Sequence, residues 1–293
     1  MSHHATALFE EHRPLLFSIA YRMLGTVMDA QDMVQDTFIR WHEATEPILS
    51  PRAWLTTVLT RLCINHLSSA RVKREAYVGS WLPEPLIEDM DRESQPDGNA
   101  ELADSLSLAF LVLLETLTPT ERAVFILREV LAYEFSEVAS VVGKEEANCR
   151  QILARARKRV HDRRPRFDAS PTQAEELMQR FHQAVTNGEL ENLIHLLAED
   201  VVFVSDGGGK AKAFLQPVHG AEAIARPMIN ATRKFRTATQ QIQHARINGL
   251  PGFVTFEGTR AVRVMAFGIL GGRIQAIFVI SNPDKLGHLA RPA

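Results

Sequence analysis

Over residues 8–74 the apolar side chains return at helical spacing, with Phe9, Leu16, Ile19, Ala20, Met23 and Leu24 followed on the next segment by Met33, Val34, Phe38 and Trp41. Ser50-Pro51 opens a third segment, since a serine cap followed by proline suits a first helical turn, and Trp54, Leu55, Val58, Leu59 and Leu62 continue its apolar face. A small helical bundle is predicted. Helical spacing resumes over 102–160. It then breaks at 164–172, where Pro165 and Pro171 flank a short polar stretch and a new domain begins. Two predicted helices (173–187 and 190–198) precede runs with strand signals at 201–205, 237–247, 253–256, 260–269 and 274–280, and a further helix is predicted over 221–234. Asn248-Gly249 and Gly271-Gly272 mark hairpin turns. That order argues for an α+β sheet curled around a helix.

The fold class is therefore multidomain: two all-α modules and a C-terminal α+β domain. The expected boundaries are 1–76, an acidic linker over 77–104, 105–165, and 173–293. With 293 residues, 45% of them apolar, the chain can bury more than one sizeable core. No apolar run approaches the roughly 18 residues of a membrane span. The opening residues also lack the basic-then-apolar order of a secretion signal, so a cytoplasmic protein with no membrane partner is expected. Cys63 and Cys149 lie far apart in helical patterns without metal-ligand spacing, and they read as core residues rather than a disulfide or a metal site.

A net charge of -2 hides strong segregation. Residues 1–50 carry seven acids against three bases, whereas 143–166 carry nine bases against three acids. Only the second stretch has the character of a nucleic-acid footprint. Between them, 84–104 holds eight acids and one base, and reads as solvated.

Residues 133–159 follow helix-turn-helix grammar: Val138, Ala139 and Val142 supply an apolar face, Gly143 permits the turn, and Cys149, Ile152, Leu153 and Ala156 continue the next face. A second helix entering the major groove by its N-terminal half would bring Asn148, Arg150, Gln151 and Arg155 to base edges or phosphates. Arg157, Lys158 and Arg159 then suit phosphates. The competing reading is a helix hairpin with a solvated basic face.

Leu117-Thr118-Pro119-Thr120-Glu121-Arg122, leading into Phe125-Ile126-Leu127-Arg128 and a helix-turn-helix ending Ala154-Arg155-Ala156-Arg157, resembles region 4 of sigma-70-type factors, which reads the promoter -35 element. Upstream, the run from Asp29 through Asp32, Gln35 and Asp36 to Phe38 resembles region 2.2, which in that family docks on the β′ clamp helices of RNA polymerase. Charge agrees, because Asp29, Asp32 and Asp36 on one helical face would repel DNA and suit a basic protein surface. Pro51-Arg52-Ala53-Trp54-Leu55, running on to Arg74, resembles regions 2.3 and 2.4. The resemblance implies -10 contacts from Arg61, Asn65, His66, Arg71, Lys73 and Arg74 to phosphates and flipped bases. Arg61 and Asn65 stand where many small sigma factors have Asn and Asp. Trp54 reads as core.

With no region 3 domain between the modules, the arrangement resembles that of extracytoplasmic-function sigma factors. Three short strings sharpen it: Trp81-Leu82-Pro83-Glu84-Pro85-Leu86, Asp206-Gly207-Gly208-Gly209-Lys210 and Asn282-Pro283-Asp284-Lys285-Leu286 resemble the subgroup with a SnoaL-like, NTF2-like C-terminal extension. These strings are expected to form regulatory interdomain contacts, with Trp81, Leu82 and Leu86 anchored on the cone and Lys210 and Lys285 facing the linker's acids. Three consecutive glycines between opposite charges suggest a loop that fits against another backbone. Some relatives of such cones are enzymes with an Asp or His base. Asp206, His219, His244 and Lys210 are candidates here, yet none has an identifiable electrophilic partner. A pocket without catalysis, open to a small-molecule ligand, is the expectation.

The resulting expectation is a non-enzymatic promoter-specificity subunit, with core RNA polymerase (β′ clamp helices and β subunit) and promoter DNA as partners, no cofactor, and a C-terminal domain acting in cis. The rival classes are a ligand-sensing helix-turn-helix regulator and a SnoaL-like enzyme with a DNA-binding appendage. A repressor has no need of the region 2 segments, and an enzyme would need an acid-base pair in the cone.

Overall fold

The computed structural model describes residues 3–75, 77–88, 107–161, 167, 169–235, 237 and 239–289. These fall into two compact units: an all-helical one from 3–75 and 110–161, and an α+β one that takes in 77–88, 107–109 and the chain from 167 onward.

In the helical unit, α1 (His3–Leu24), α2 (Val27–Glu43) and α3 (Pro51–Glu75) pack pairwise around Phe9, Leu16, Ile19, Ala20, Leu55, Leu59 and Cys63, all buried. Trp41 fastens the end of α2 to the start of α1, its Nε1 donating to the Ala5 carbonyl at 3.0 Å, and half-buried Trp54 meets its ring edge-on with centroids 5.7 Å apart. After α4 (Leu108–Leu114), Thr118 caps α5 (Pro119–Phe125) through a capping box with Glu121: the Glu121 N–H donates to Thr118 Oγ1 and the Thr118 N–H to the Glu121 carboxylate. A π-helical turn, Ile126–Val130, leads to α6 (Phe135–Val142) and α7 (Glu146–His161). Gly143, at φ 67°, ends α6 in the left-handed conformation that the turn demands.

The helix-turn-helix is thus present with one correction. In α6 the inward stripe runs through Val138, Ala139 and Val141, while Val142 is only half-buried, because the buried face of this two-turn helix follows the i, i+3 pair Val138 and Val141. Region 2 and region 4 segments, expected as modules apart, share one unit in which α5 packs on α1 and α3, and α6 on α3.

The α+β unit holds a seven-stranded sheet in the order β1-β4-β5-β6-β7-β2-β3. Its strands are β1 (Ile87–Glu88), β2 (Leu197–Asp206), β3 (Val218–His219), β4 (Gln240–Ile247), β5 (Leu250–Glu257), β6 (Arg260–Leu270) and β7 (Arg273–Ile280). All neighbours are antiparallel except β2 and β7. Asn248 and Gly249 at φ 48° and 76°, and Gly271 and Gly272 at 57° and 74°, make the two hairpin turns with both central residues at positive φ. Helices α8 (Pro171–Asn187), α9 (Leu190–Leu196) and α10 (Ala221–Phe235) share one core with the sheet, built on Phe181, Leu193, Ile224, Phe253, Phe267 and Ile277. This is the α+β architecture expected.

The sequence pattern missed β1. Residues 84–88, expected in a solvated linker, belong to the α+β unit: Ile87 and Glu88 pair with Ile247 and Arg246 at the sheet edge, and Leu82 and Glu84 are buried. The acidic remainder, 89–104, lies outside the described residues.

Candidate functional site

On α7 every residue expected at DNA is exposed: Asn148, Arg150, Gln151, Arg155, Arg157 and Lys158. Cys149, Ile152, Leu153 and Ala156 are buried beneath them and fix which face is free. Arg150 is held at 2.8 Å from Glu146 and lies over the Phe135 ring at 4.8 Å. Arg157 forks onto Glu129 at 2.7 and 3.0 Å, and that bond raises its pKa above the ordinary arginine value. Arg159 pairs with Glu121 at 2.8 Å. The Arg150–Glu146 pair is exposed on both sides and worth ~1 kcal/mol or less, so a phosphate can displace the acid.

The α2 face divides differently from expectation. Asp32, Gln35 and Asp36 are exposed and are flanked by two exposed apolar residues, Met28 at 62% and Ile39 at 45%. These positions form one stripe at spacings of three and four. Asp29 is turned away: it is half-buried, accepts from the Thr26 hydroxyl, and lies 3.7 Å from His66 Nε2. Phe38 packs edge-on against Phe9 at 4.9 Å and beside His42, and so belongs to the bundle. The acidic stripe is therefore narrower than read, and the apolar flanks were missed because lone exposed hydrophobics carry no sequence signal.

On α3, Asn65 is exposed, but two of its neighbours are engaged within the unit. Arg61 donates to the carbonyls of Val141 and Ser140 at 3.0 and 2.9 Å, and His66 faces Asp29. Arg71, Lys73 and Arg74 lie on the last turns of α3, and their side chains are outside the described set. A second arginine makes the reciprocal contact: buried Arg122 of α5 donates to the Met23 carbonyl at 2.6 Å, at the C-terminus of α1, and pairs with Glu115 at 2.7 Å. Cations at helix C-termini satisfy orphan carbonyls and oppose the negative dipole end.

Within the α+β unit, the three short strings converge. Asp206 is fully buried and collects four donors on its carboxylate: the Tyr77 hydroxyl at 2.5 Å, the Leu82 N–H at 2.9 Å, Lys285 Nζ at 2.7 Å and the Gly208 N–H at 3.0 Å. Lys285 also donates to the Leu82 carbonyl and sits 4.1 Å from the Trp81 ring centroid. Asn282 donates to the Tyr77 hydroxyl at 2.9 Å and caps the 3-10 turn Pro283–Lys285. Burial, followed by the bond to Asp206, pushes the Tyr77 phenol above its ordinary pKa. Lys285 serves Asp206 and the Leu82 carbonyl, and Lys210, expected at the linker's acids, meets Asp284 at 2.5 Å on the surface. Each glycine of the loop has its own neighbour, since a Cβ would collide with the Ala211 carbonyl at Gly207 and with the Asn282 amide at Gly208, and would press on Val78 at Gly209.

Two partners escaped the sequence reading. Buried Asn248, read only as a hairpin residue, accepts from the Leu86 N–H at 2.9 Å and donates its own N–H to the Leu86 carbonyl at 2.8 Å. His288 bonds the Pro85 carbonyl at 2.9 Å. Residues 77–88 thus form a strap held on the sheet at Asp206, Lys285, Asn248 and β4. None of the candidates for an enzymatic base (Asp206, His219, His244, Lys210) lines either cavity described in this unit.

Residues 8–72 match the sigma-70 region 2 family and residues 107–160 the sigma-70 region 4 family. The ECF RNA polymerase sigma factor SigJ of Mycobacterium tuberculosis is 37% identical over 286 residues, covering 94% of this chain and 91% of that protein. The probable ECF RNA polymerase sigma factor SigI of the same organism is 30% identical over 295 residues, covering 99% and 98%. The crystal structure of M. tuberculosis SigJ aligns with a TM-score of 0.75 at 35% identity, over 96% of this chain and 98% of that one. With both sigma regions in order and a relative matched along nearly its whole length, the chain belongs to the extracytoplasmic-function RNA polymerase sigma factors.

Proposed function

We propose that this sigma factor docks on the β′ clamp helices of core polymerase, in the cytoplasm, through Asp32, Gln35 and Asp36 with Met28 and Ile39, and contacts the β subunit as well. It reads the -35 element with the exposed face of α7, and its C-terminal domain controls it in cis. The observation that carries the cis reading is the strap. Residues 77–88 belong to the chain between region 2 and region 4, yet they are fastened into the C-terminal domain by hydrogen bonds of Tyr77 and Leu82 to the buried Asp206–Lys285 pair and by a strand pairing. Any ligand or partner that loosens the strap lengthens the free connection between the two promoter-reading regions. Asn65, and Arg61 and His66 once released from their internal partners, then meet the -10 element, together with Arg71, Lys73 and Arg74. The C-terminal cavity offers a place for a small molecule to act.

The decisive experiment is run-off transcription from a genomic library with sigma-free core polymerase and the purified chain, followed by sequencing of the transcripts. Discrete start sites sharing -10 and -35 sequences are expected. Charge reversal at Asp32 and Asp36, both exposed, abolishes holoenzyme formation while the helices remain folded; a doubly reversed variant that binds core normally refutes the docking face. Deleting the chain from Asn282 onward raises transcription without changing the affinity of regions 2 and 4 for DNA or core. Unchanged output in a folded variant refutes cis control, and lowered output reverses its sign.

A further inference from the structure

A cavity of about 290 Å³ opens between α10 and the sheet. Its wall is mostly apolar, with Phe203, Ile224, Met228, Met265 and Val279 inside and two partly exposed rings, Phe214 at 43% and Phe235 at 38%, at the rim. Among the described residues the charged side chains that line it are Arg263 and Lys212, both cationic, with no carboxylate. Lys212 rests its ammonium 4.4 Å from the Phe235 ring.

Arg263 is the anomaly. Its register on β6, opposite Thr255 of β5, puts it in the same inward row as Met265, where a strand packed on a helix would ordinarily carry an apolar residue. It lines both this cavity and a smaller neighbouring one of about 80 Å³, and so belongs to the partition between them. Among the described residues it makes no hydrogen bond and no ion pair. Glu257, the acid whose field reaches it, is occupied by Gln240 at 2.8 Å. Burial pulls the Arg263 pKa below its ordinary value, and Glu257 only partly opposes this. Arg263 is partly buried, and a cation whose donors no protein group takes is left to bind whatever enters the cavity, water or an anion. Such departures from packing logic concentrate where a ligand binds.

We infer that this cavity is a binding site for an amphipathic organic anion, a carboxylate on a flat apolar body, with the carboxylate on Arg263 and the body among Phe203, Phe214 and Phe235. Arg recognises carboxylates by paired parallel N–H donors, and Lys212 adds a second positive charge at the mouth. The half-buried hydroxyls of Thr232 and Ser281 also line the cavity and can donate to the same group. A neutral analogue keeps the apolar contacts and leaves the cation unpaired. Discrimination therefore resides in the charge.

The probe is 1-naphthoate, with the near-isosteric neutral 1-naphthamide as control, titrated calorimetrically into the full chain without polymerase. Naphthoate is expected to bind at least about tenfold more tightly than the amide, since a charged hydrogen-bonded contact is worth ~1.5–3 kcal/mol. Arg263→Met should erase the difference, Arg263→Lys should keep part of it, and Ala231→Trp, which fills the space beside the partition, should abolish binding of both. Equal binding of the two probes, binding of neither, or an unchanged preference in Arg263→Met overturns the assignment. Should Arg263→Met fail to fold, Ala231→Trp decides: loss of naphthoate binding supports the site and retention refutes it. Because the measurement involves no transcription, its failure leaves the sigma-factor reading and cis control standing, and their failure leaves the site standing.

Discussion

Arg61 on α3 donates its Nε–H to the Val141 carbonyl at the end of α6, 3.0 Å away, and its Nη2 to Ser140 at 2.9 Å. The last turn of a helix has carbonyls with no intrahelical donor. Here Gly143 and Lys144 both return their N–H groups to Ala139, which leaves Ser140 and Val141 to the arginine. The side chain expected at the -10 element is therefore engaged by the helix that precedes α7, the helix proposed to read the -35 element.

Removing that contact should loosen the α3–α6 junction. Arg61→Ala is expected to lower unfolding stability by ~1 kcal/mol, the worth of a partly exposed charged bond at a helix C-terminus. Hydrogen exchange in α6 should quicken while exchange in α1 and α2 stays as it was. Equal protection of α6 in the two proteins would show the contact to be energetically idle.

The two lysines of the C-terminal strings should separate sharply. Lys285→Met leaves the Asp206 carboxylate buried without its cation, and removing one partner of a buried pair costs ~3–5 kcal/mol. Limited proteolysis should then cut within 77–88, and Trp81 emission should shift to the red as the strap leaves the sheet. Lys210→Ala removes only an exposed pair with Asp284, whose side chains are 57% and 61% accessible, and should cost less than ~1 kcal/mol. Comparable losses in both variants would contradict the burial argument.

Gly208→Ala tests the loop. Gly208 has φ 57°, a conformation costing an L-residue ~1–2 kcal/mol, and the added Cβ collides with the Asn282 amide that holds Tyr77. The expected result is a lower melting temperature and the same strap cleavage as in Lys285→Met. Gly271→Ala has open space around its Cβ and should show the conformational cost alone.

On α7, Gln151→Ala and Arg150→Ala should each weaken -35 binding by ~1–3 kcal/mol and relax base preference. Lys158→Ala should weaken all sequences alike and flatten the salt dependence. Arg157→Ala should resemble Lys158→Ala with a smaller effect, because Arg157 first has to leave Glu129. Binding curves at several salt concentrations against matched and scrambled promoters distinguish these outcomes, and a sequence-selective Lys158 effect would mean that the helix is rotated from the face assigned here.

Local chemistry was legible. Helical periodicity located α1, α2, α3 and the C-terminal helices, positive-φ turn residues located both hairpins, and charge segregation with the helix-turn-helix pattern singled out α7, because each of these signals is carried by residues within a turn or two of one another. Even the three glycines announced a close approach, although not what approached. Partnership was the tertiary structure's to decide. Nothing near Arg61 points to a carbonyl eighty positions away, nothing beside Asn248 points to Leu86, and an acidic, proline-bearing stretch gives no reason to expect Ile87 and Glu88 to pair with β4. Asp29 and Phe38 likewise share the acidic helix with Asp32 and Asp36 but turn into the bundle, a few tens of degrees around the axis that only packing against α1 and α3 resolves. Periodicity states which face is apolar. Which polar groups are buried, and what satisfies them there, depends on donors and acceptors brought together from distant segments once the core has closed.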